Sequence, residues 1–65
     1  MNRFMIGEYI RTQREAKEIN QDDLCRGICN RSTLSRIERG RQEPSYYTLK
    51  VLLQRLGIPE ERFQI

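Results

Sequence analysis

The sequence predicts an all-α domain of five short helices, and three observations support this prediction. Apolar residues recur every three or four positions along most of the chain, which is the period of one helix face. Asparagine, serine or proline stands where each later helix would begin, and glycine follows several of the helices. No stretch alternates apolar and polar residues as a half-buried strand does. With 65 residues, the chain is expected to form a single domain over residues 1–65.

The first helix is predicted from Met5 to about Lys17. Ile6, Ile10 and Arg14 recur every four residues, so the apolar stripe of this helix ends in a cation that points inward. A buried charge without a partner costs several kcal/mol or more. Glu38 lies at the edge of the apolar face of a later helix, and we expect it to pair with Arg14. The alternative is that both are surface charges without mutual contact.

The second and third helices are predicted over about 21–26 and 31–39, and an asparagine that can cap the helix precedes each of them. The segment 27–29 between them, Gly-Ile-Cys, is too short for a loop and is predicted to be a turn. Two helices joined by three or four residues have helix-turn-helix geometry, here over about 21–39.

The third helix is predicted to have two unlike faces. At about 100° per residue, Leu34 and Ile37 fall on the side that packs on the core. The opposite side is polar and cationic, and it carries Arg31, Ser32, Ser35, Arg36 and Arg39.

The fourth helix is predicted from Tyr46 to about Leu56, with Ser45 as its N-cap. Its buried stripe is expected to consist of Tyr46, Leu49, Leu52, Leu53 and Leu56. A fifth short helix is predicted to begin at Pro59, with Phe63 facing inward.

The whole chain has a formal net charge of +3, and its positive charge is concentrated in one quarter of the sequence. Between Arg26 and Arg41 there are five arginines and one acid, Glu38, so this segment alone carries +4. Such clustering is typical of a nucleic-acid-binding face, because cations that neutralise phosphates release bound counterions. A solvated basic surface is the alternative.

The residue content argues against a metal site, an enzyme and a membrane span. Histidine is absent and no matching cluster of carboxylates is present, so no metal or other cofactor is predicted. The chain has neither a glycine-rich phosphate loop nor an activated nucleophile pair, which argues against catalysis. The longest aliphatic run, 51–53, is too short for a membrane span, and the N-terminus lacks a signal-peptide pattern. A cytoplasmic protein is therefore expected.

Cys25 and Cys29 are the two cysteines of the chain. Their spacing of four residues suits small buried side chains near a helix end, which is the role we expect. Redox sensing is the alternative, and a structural disulfide is not expected in a reducing compartment.

Together, these elements resemble a known family over essentially the whole chain. The resemblance rests on Ile6-Gly7-Glu8, Ile10-Arg11 with Arg14, Asn20-Gln21-Asp22-Asp23-Leu24, Ser32-Thr33-Leu34-Ser35-Arg36-Ile37-Glu38-Arg39-Gly40, Pro44-Ser45 and Leu56-Gly57-Ile58. In spacing, caps and core positions, the chain is similar to the lambda-repressor-like, Cro/cI-type (XRE) helix-turn-helix family. This resemblance implies a compact five-helix DNA-binding domain.

The turn of the motif narrows the resemblance. Leu24 to Asn30 is one residue shorter than is usual in the family, and Gly27-Ile28-Cys29 replaces the common Leu-Gly-Val. The turn and the Ser-Thr-Leu-Ser-Arg-Ile-Glu segment after it look like the N-terminal domains of peptide-sensing regulators of the PlcR and Rgg type. Those regulators continue into a helical-repeat domain that binds the peptide and dimerises. The 65 residues contain no such domain, so the chain is expected to be an isolated DNA-binding domain or a naturally short regulator.

The predicted function is sequence-specific binding of a double-stranded DNA operator by a transcriptional regulator. In helix-turn-helix proteins the second helix of the motif enters the major groove, and here that is the helix at 31–39. Arg31 and Arg36 are long enough to read guanine edges, with Ser32 and Ser35 as secondary base contacts. The resemblance and the positions near helix ends imply phosphate contacts from Gln21, Thr33, Arg39, Arg41, Ser45 and Tyr46.

A homodimer is expected, because binding two half-sites at once raises affinity without new contacts. The family resemblance implies that the two chains pair through the segment 59–65 together with the fourth helix. The alternative function is that of an antitoxin or a protein-docking module of the same fold. Tyr47, Val51 and Ile65 are the surplus apolar residues that such a module would use.

Overall fold

The computed structural model describes residues 2–59, and over this range the chain forms four α-helices and no strand. They are α1 (Arg3–Ala16), α2 (Gln21–Cys25), α3 (Arg31–Glu38) and α4 (Tyr46–Arg55). Helix α3 packs against α1 and α2, and α2 also contacts α4. The predicted all-α class is confirmed. The predicted fifth helix, with Phe63, extends outside the described residues.

Polar side chains at the N-termini explain where the helices begin. The predicted caps Asn20, Asn30 and Ser45 each accept a hydrogen bond from the backbone N–H three residues later, at 2.7, 2.7 and 3.1 Å. Asn2 makes the same kind of bond, at 3.0 Å, with the N–H of Met5. Because of this cap, α1 begins before its predicted start at Met5.

The helices end just before their predicted last residues, because those residues are the C-caps: Lys17, Arg26, Arg39 and Leu56. The connection between α2 and α3 is consequently 26–30, which is longer than the three or four residues expected from the sequence. Gly40, with a φ of 74°, takes the left-handed conformation that follows the end of α3.

One core is formed by apolar residues from all four helices. Its most deeply buried members are Ile10, Leu24, Leu34, Ile37, Leu52 and Leu56. The prediction that Tyr46 belongs to the buried stripe of α4 is wrong, since this residue is 61% exposed. Tyr46 is the first residue of α4, and side chains of a helix point toward its N-terminus, so this one projects past the end of the packed face.

Gly7 lets α1 lie directly against the backbone of α3. A Cβ atom added at Gly7 would lie 2.0 Å from the carbonyl oxygen of Ile37. That oxygen belongs to the backbone of a packed helix, so it cannot rotate away as a side chain would. The absence of a side chain at Gly7 therefore sets how closely the two helices approach.

We predict that Gly7→Ala lowers the free energy of unfolding by about 1–3 kcal/mol, because the added methyl group overpacks the contact with α3. Helix propensity alone would instead raise the free energy of unfolding, since alanine is more favourable than glycine within a helix by about 1 kcal/mol. Thermal or urea unfolding measures the difference. Glu8→Ala, at the exposed neighbouring position of α1, is the matched control and should change stability little. An unchanged or raised unfolding midpoint for Gly7→Ala would contradict the prediction.

The two cysteines lie at the end of α2 and in the turn that follows. Both are free thiols; Cys25 is buried and Cys29 is half-buried. The packing role expected for Cys25 agrees with its place in the core, and Cys29 packs against that core. Burial raises the pKa of the Cys29 thiol above its ordinary value, and the neighbouring Cys25 raises it further. The neutral thiol is thus the form that the fold favours.

Cys29 should therefore react with iodoacetamide more slowly in the folded chain than in the urea-unfolded chain at the same mildly alkaline pH, because less thiolate is present. The same shift predicts that stability is unaffected below the ordinary thiol pKa and falls as the pH rises through it, since the unfolded thiol ionises first. Peptide mapping of the alkylated chain gives the rate at each cysteine. Equal rates at Cys29 in the two states would show that its thiol is not perturbed.

Candidate nucleic-acid interface

Helix α3 has one buried face and one exposed face. Leu34 and Ile37 are almost completely buried on the inner side, together with Glu38. The predicted base-contacting side chains lie on the outer side, where Arg31, Ser32 and Arg36 are exposed and Ser35 is half-buried. Both groups of residues follow from the helical period, since residues three and four apart share a face.

The rotation of α3 about its axis is fixed by a buried carboxylate. The side chain of Glu38 is only 2% exposed. Arg14 of α1 donates from Nε to Oε2 at 2.7 Å and from Nη2 to Oε1 at 3.0 Å, which is a two-point contact of planar groups. The hydrogen bond to Glu38 raises the pKa of Arg14 above its ordinary value, so the guanidinium stays charged. The structure thus brings together the two residues that the sequence suggested as an ion pair.

Gln21, the first residue of α2, joins the same carboxylate. Its Nε2 donates to Glu38 Oε1 at 3.0 Å, a contact that no local sequence pattern indicates. Arg14 also donates from Nη1 to the carbonyl oxygen of Ile19 at 3.0 Å, just before α2. Helices α1, α2 and α3 therefore meet at one charged cluster. The second amide hydrogen of Gln21 is left for an outside acceptor.

We predict that Glu38→Ala lowers the free energy of unfolding by about 3 kcal/mol, because it leaves Arg14 as an uncompensated, largely buried charge. Thermal or urea unfolding gives the value. Glu15→Ala is the matched control, since Glu15 lies 3.9 Å from the same guanidinium with its side chain 61% exposed, and exposed pairs contribute little. If both variants unfold like the parent chain, the cluster does not stabilise the fold.

An open groove runs along the outer surface of α2 and α3. Its lining consists of Gln21, Arg31, Ser32, Ser35, Arg36 and Arg39. Every residue predicted to contact bases therefore lines this groove, together with two of the residues predicted to contact phosphates. Arg31 also lies 3.8 Å from Asp22 of α2, an ion pair between two exposed side chains.

The remaining predicted phosphate contacts lie outside this groove. Thr33 is half-buried and its Oγ1 accepts a hydrogen bond from Arg36 at 3.3 Å. Arg41 is exposed just after Gly40. Ser45 and Tyr46 stand at the start of α4, where the Ser45 hydroxyl caps the helix and donates to Thr48 Oγ1 at 3.0 Å. The structure thus groups part of the predicted site and leaves the rest on the flanking turns.

Arg55 is a structural residue that the sequence did not reveal. From the last turn of α4, its Nη1 donates to the carbonyl oxygens of Asp23, Leu24 and Arg26, the second at 3.1 Å. These carbonyls lie at the C-terminal end of α2, where a cation is favourable. No local pattern could have indicated this contact, because it joins residues that are distant along the chain.

Two kinds of site are not found in the described part of the chain. None of the helices there has the length and the apolar character needed to cross a membrane. Nor do residues 2–59 contain a group of histidine, cysteine or acidic side chains that could hold a metal ion.

A helix-turn-helix family model matches residues 10–63 of the chain, which include the second half of α1 and all of α2, α3 and α4. The chain belongs to the helix-turn-helix family. This membership makes it a DNA-binding domain of the XRE type. No curated protein and no solved structure matches the chain. In this helix-turn-helix domain, the grooved surface of α2 and α3 is the candidate DNA interface.

Proposed function

We propose that this domain belongs to a transcriptional regulator and recognises a specific double-stranded DNA sequence by inserting α3 into the major groove. The observation that carries the proposal is the groove along α2 and α3. All four side chains expected to contact bases line it, and so do Gln21 and Arg39, which are expected to contact phosphates. In helix-turn-helix proteins the second helix of the motif lies in the major groove while the first crosses the backbone.

Arg31 and Arg36 are the proposed base readers. Both are exposed on the outer face of α3, and a guanidinium matches the O6 and N7 acceptors of guanine with two parallel hydrogen bonds. Each such contact discriminates between bases by about 1–3 kcal/mol. Ser32 and Ser35 are shorter and accept or donate to several bases, so they are assigned a secondary role.

The proposed phosphate contacts surround the base readers. Arg39 and Arg41 are exposed on either side of Gly40, beyond the C-terminal end of α3. Gln21 and Thr33 lie along the motif, and Ser45 and Tyr46 at the start of α4 add weaker contacts. The charge of Glu38 is compensated inside the fold by Arg14, so this carboxylate does not offset the arginines of the outer face.

The two classes of contact predict different effects on binding. Arg36→Ala is expected to reduce the preference for the best duplex, by roughly five- to a hundredfold for the loss of one bidentate base contact. Arg39→Ala is expected to weaken binding to all duplexes alike and to reduce the slope of log affinity against log salt by about 1. Titration of a fluorescent duplex, selected from a randomised pool, and of its scrambled version at two salt concentrations measures both quantities.

Lys17→Ala is the charge control for this experiment. It also removes one exposed cation, but from the end of α1, and should leave both the preference and the slope nearly unchanged. Equal losses on both duplexes for Arg36→Ala and Arg39→Ala would contradict the division of roles. A folded parent chain that shows no preference among duplexes would contradict the proposed function itself.

The proposal includes homodimeric binding to two half-sites of the operator. Two linked half-sites multiply affinity without any further contact within a half-site. The surface assigned to dimerisation is α4 with the segment after it, where Tyr47 is 72% exposed. A stoichiometry of two chains per duplex in the titration above supports this arrangement, and a stoichiometry of one opposes it.

The finer family assignment also belongs to the proposal. The Gly27-Ile28-Cys29 turn favours a relationship to peptide-sensing regulators of the PlcR and Rgg type. In that case a peptide-binding, dimerising domain would follow in the native protein. The reading frame downstream of Ile65 tests this directly, because it either encodes a long helical-repeat segment or does not.

A second candidate function is docking of a protein partner, as in an antitoxin. It draws support from exposed apolar side chains, since Phe4 and Met5 at the start of α1 are 60% and 56% exposed. Of the apolar residues expected for this role, Tyr47 is exposed, Val51 is half-buried and Ile65 lies outside the described residues. A folded chain that fails to bind duplex DNA even at low salt would favour this second function.

A further inference from the structure

The guanidinium of Arg36 is held by two side chains of the same chain. Its Nε donates to Oε1 of Gln42 at 2.8 Å, and its Nη2 donates to Oγ1 of Thr33 at 3.3 Å. Thr33 is one turn earlier in α3, whereas Gln42 lies beyond the end of the helix, between Gly40 and α4. Arg36 is thus held by two hydrogen bonds although its side chain is exposed.

The donors of these two bonds are Nε and Nη2, two of the three nitrogens of the guanidinium. Nε and Nη2 form the side edge of the planar group, and the outer edge is formed by Nη1 and the second hydrogen of Nη2. Two parallel hydrogen bonds from that outer edge are what the O6 and N7 atoms of guanine accept. The contacts with Gln42 and Thr33 therefore restrain Arg36, while Nη1 and one hydrogen of Nη2 remain able to donate to a base.

Arg31 differs from Arg36 in this respect. It forms an ion pair with Asp22 at 3.8 Å, in which both side chains are more than 60% exposed. An exposed pair at this distance restrains a long side chain weakly. Arg36 is consequently the preorganised reader of the two, and Arg31 the adaptable one.

We propose that Gln42 is a positioning residue for DNA sequence recognition, which holds the guanidinium of Arg36 ready for the O6 and N7 atoms of a guanine in the major groove. The inference rests on the proposed function and deepens it, because it assigns sequence discrimination to a residue outside the recognition helix. Fixing a long side chain before binding saves an entropy cost equivalent to roughly two- to tenfold in affinity. This gain in affinity is expected only on duplexes in which Arg36 contacts its guanine.

The test compares four variants of the whole chain on two duplexes. The first duplex is selected from a randomised pool by the parent chain, and the second is its scrambled version. Dissociation constants on both give a preference ratio for Gln42→Ala, Gln42→Glu, Arg36→Ala and the double variant Arg36→Ala with Gln42→Ala. Gln13→Ala is the matched control, because it removes a glutamine that is half-buried like Gln42 but lies on α1, outside the groove and outside the surface assigned to dimerisation. Unfolding midpoints show that each variant is folded.

Gln42→Ala is expected to lower the preference ratio by roughly two- to tenfold, with affinity for the scrambled duplex and thermal stability unchanged. Gln42→Glu keeps an oxygen acceptor for Nε, so it should retain the ratio even where the added negative charge weakens binding to both duplexes equally. In the Arg36→Ala background, Gln42→Ala should have no additional effect. This last result is the one that a purely structural role or a direct DNA contact of Gln42 would not give.

Other results would overturn the inference. A preference ratio for Gln42→Ala equal to that of the parent chain and of Gln13→Ala would show that Gln42 does not position Arg36. A further loss caused by Gln42→Ala in the Arg36→Ala background would show that Gln42 acts independently of Arg36, either through the fold or by contacting DNA itself. If the parent chain prefers no duplex, the proposed function fails and this inference fails with it, whereas the first two results leave the proposed function intact.

Discussion

The structure depends on the carboxylate of Glu38, which three helices share. Arg14 of α1 and Gln21 of α2 both donate hydrogen bonds to it, and Glu38 itself lies at the end of α3. A charge buried in this way is stable only while its partners remain in place, so the three helices are held in one relative orientation. Rotation of α3 about its axis would break these bonds and expose its apolar face. The hydrogen bonds to Glu38 therefore also keep Arg36 on the outer face of α3.

A second constraint acts on the distance between α1 and α3 rather than on the rotation of α3. Gly7 allows the backbones of α1 and α3 to lie against each other, so that the apolar side chains around them close into one small core. A domain of this size buries a limited apolar area, and each close contact therefore matters more than in a large protein. Together, the glycine contact and the buried carboxylate position α3 with few residues.

The same arrangement shapes the electrostatics of the outer surface. Glu38 is the one acidic residue between Arg26 and Arg41. Because Arg14 compensates its charge inside the fold, it does not offset the positive charge of the arginines that line the groove. Those arginines are held to different degrees. Arg36 is restrained by Thr33 and Gln42, whereas Arg31 has a loose ion pair, which separates a preorganised contact from an adaptable one on the same helix.

Local patterns along the chain were enough to predict what depends on neighbouring residues: the four helices of the described residues, the caps at Asn20, Asn30 and Ser45, and the division of α3 into an apolar and a cationic face. The sequence also suggested the Arg14–Glu38 pair, because an inward-pointing cation needs an anion. Which residues contact bases or phosphates remains a prediction from the sequence and the family. The contacts of Gly7, Gln21, Arg55 and Gln42 and the exposure of Tyr46 became known from the folded chain. Four of these are contacts between separate elements and the fifth depends on where the core ends, and no helical period or cap pattern encodes such information.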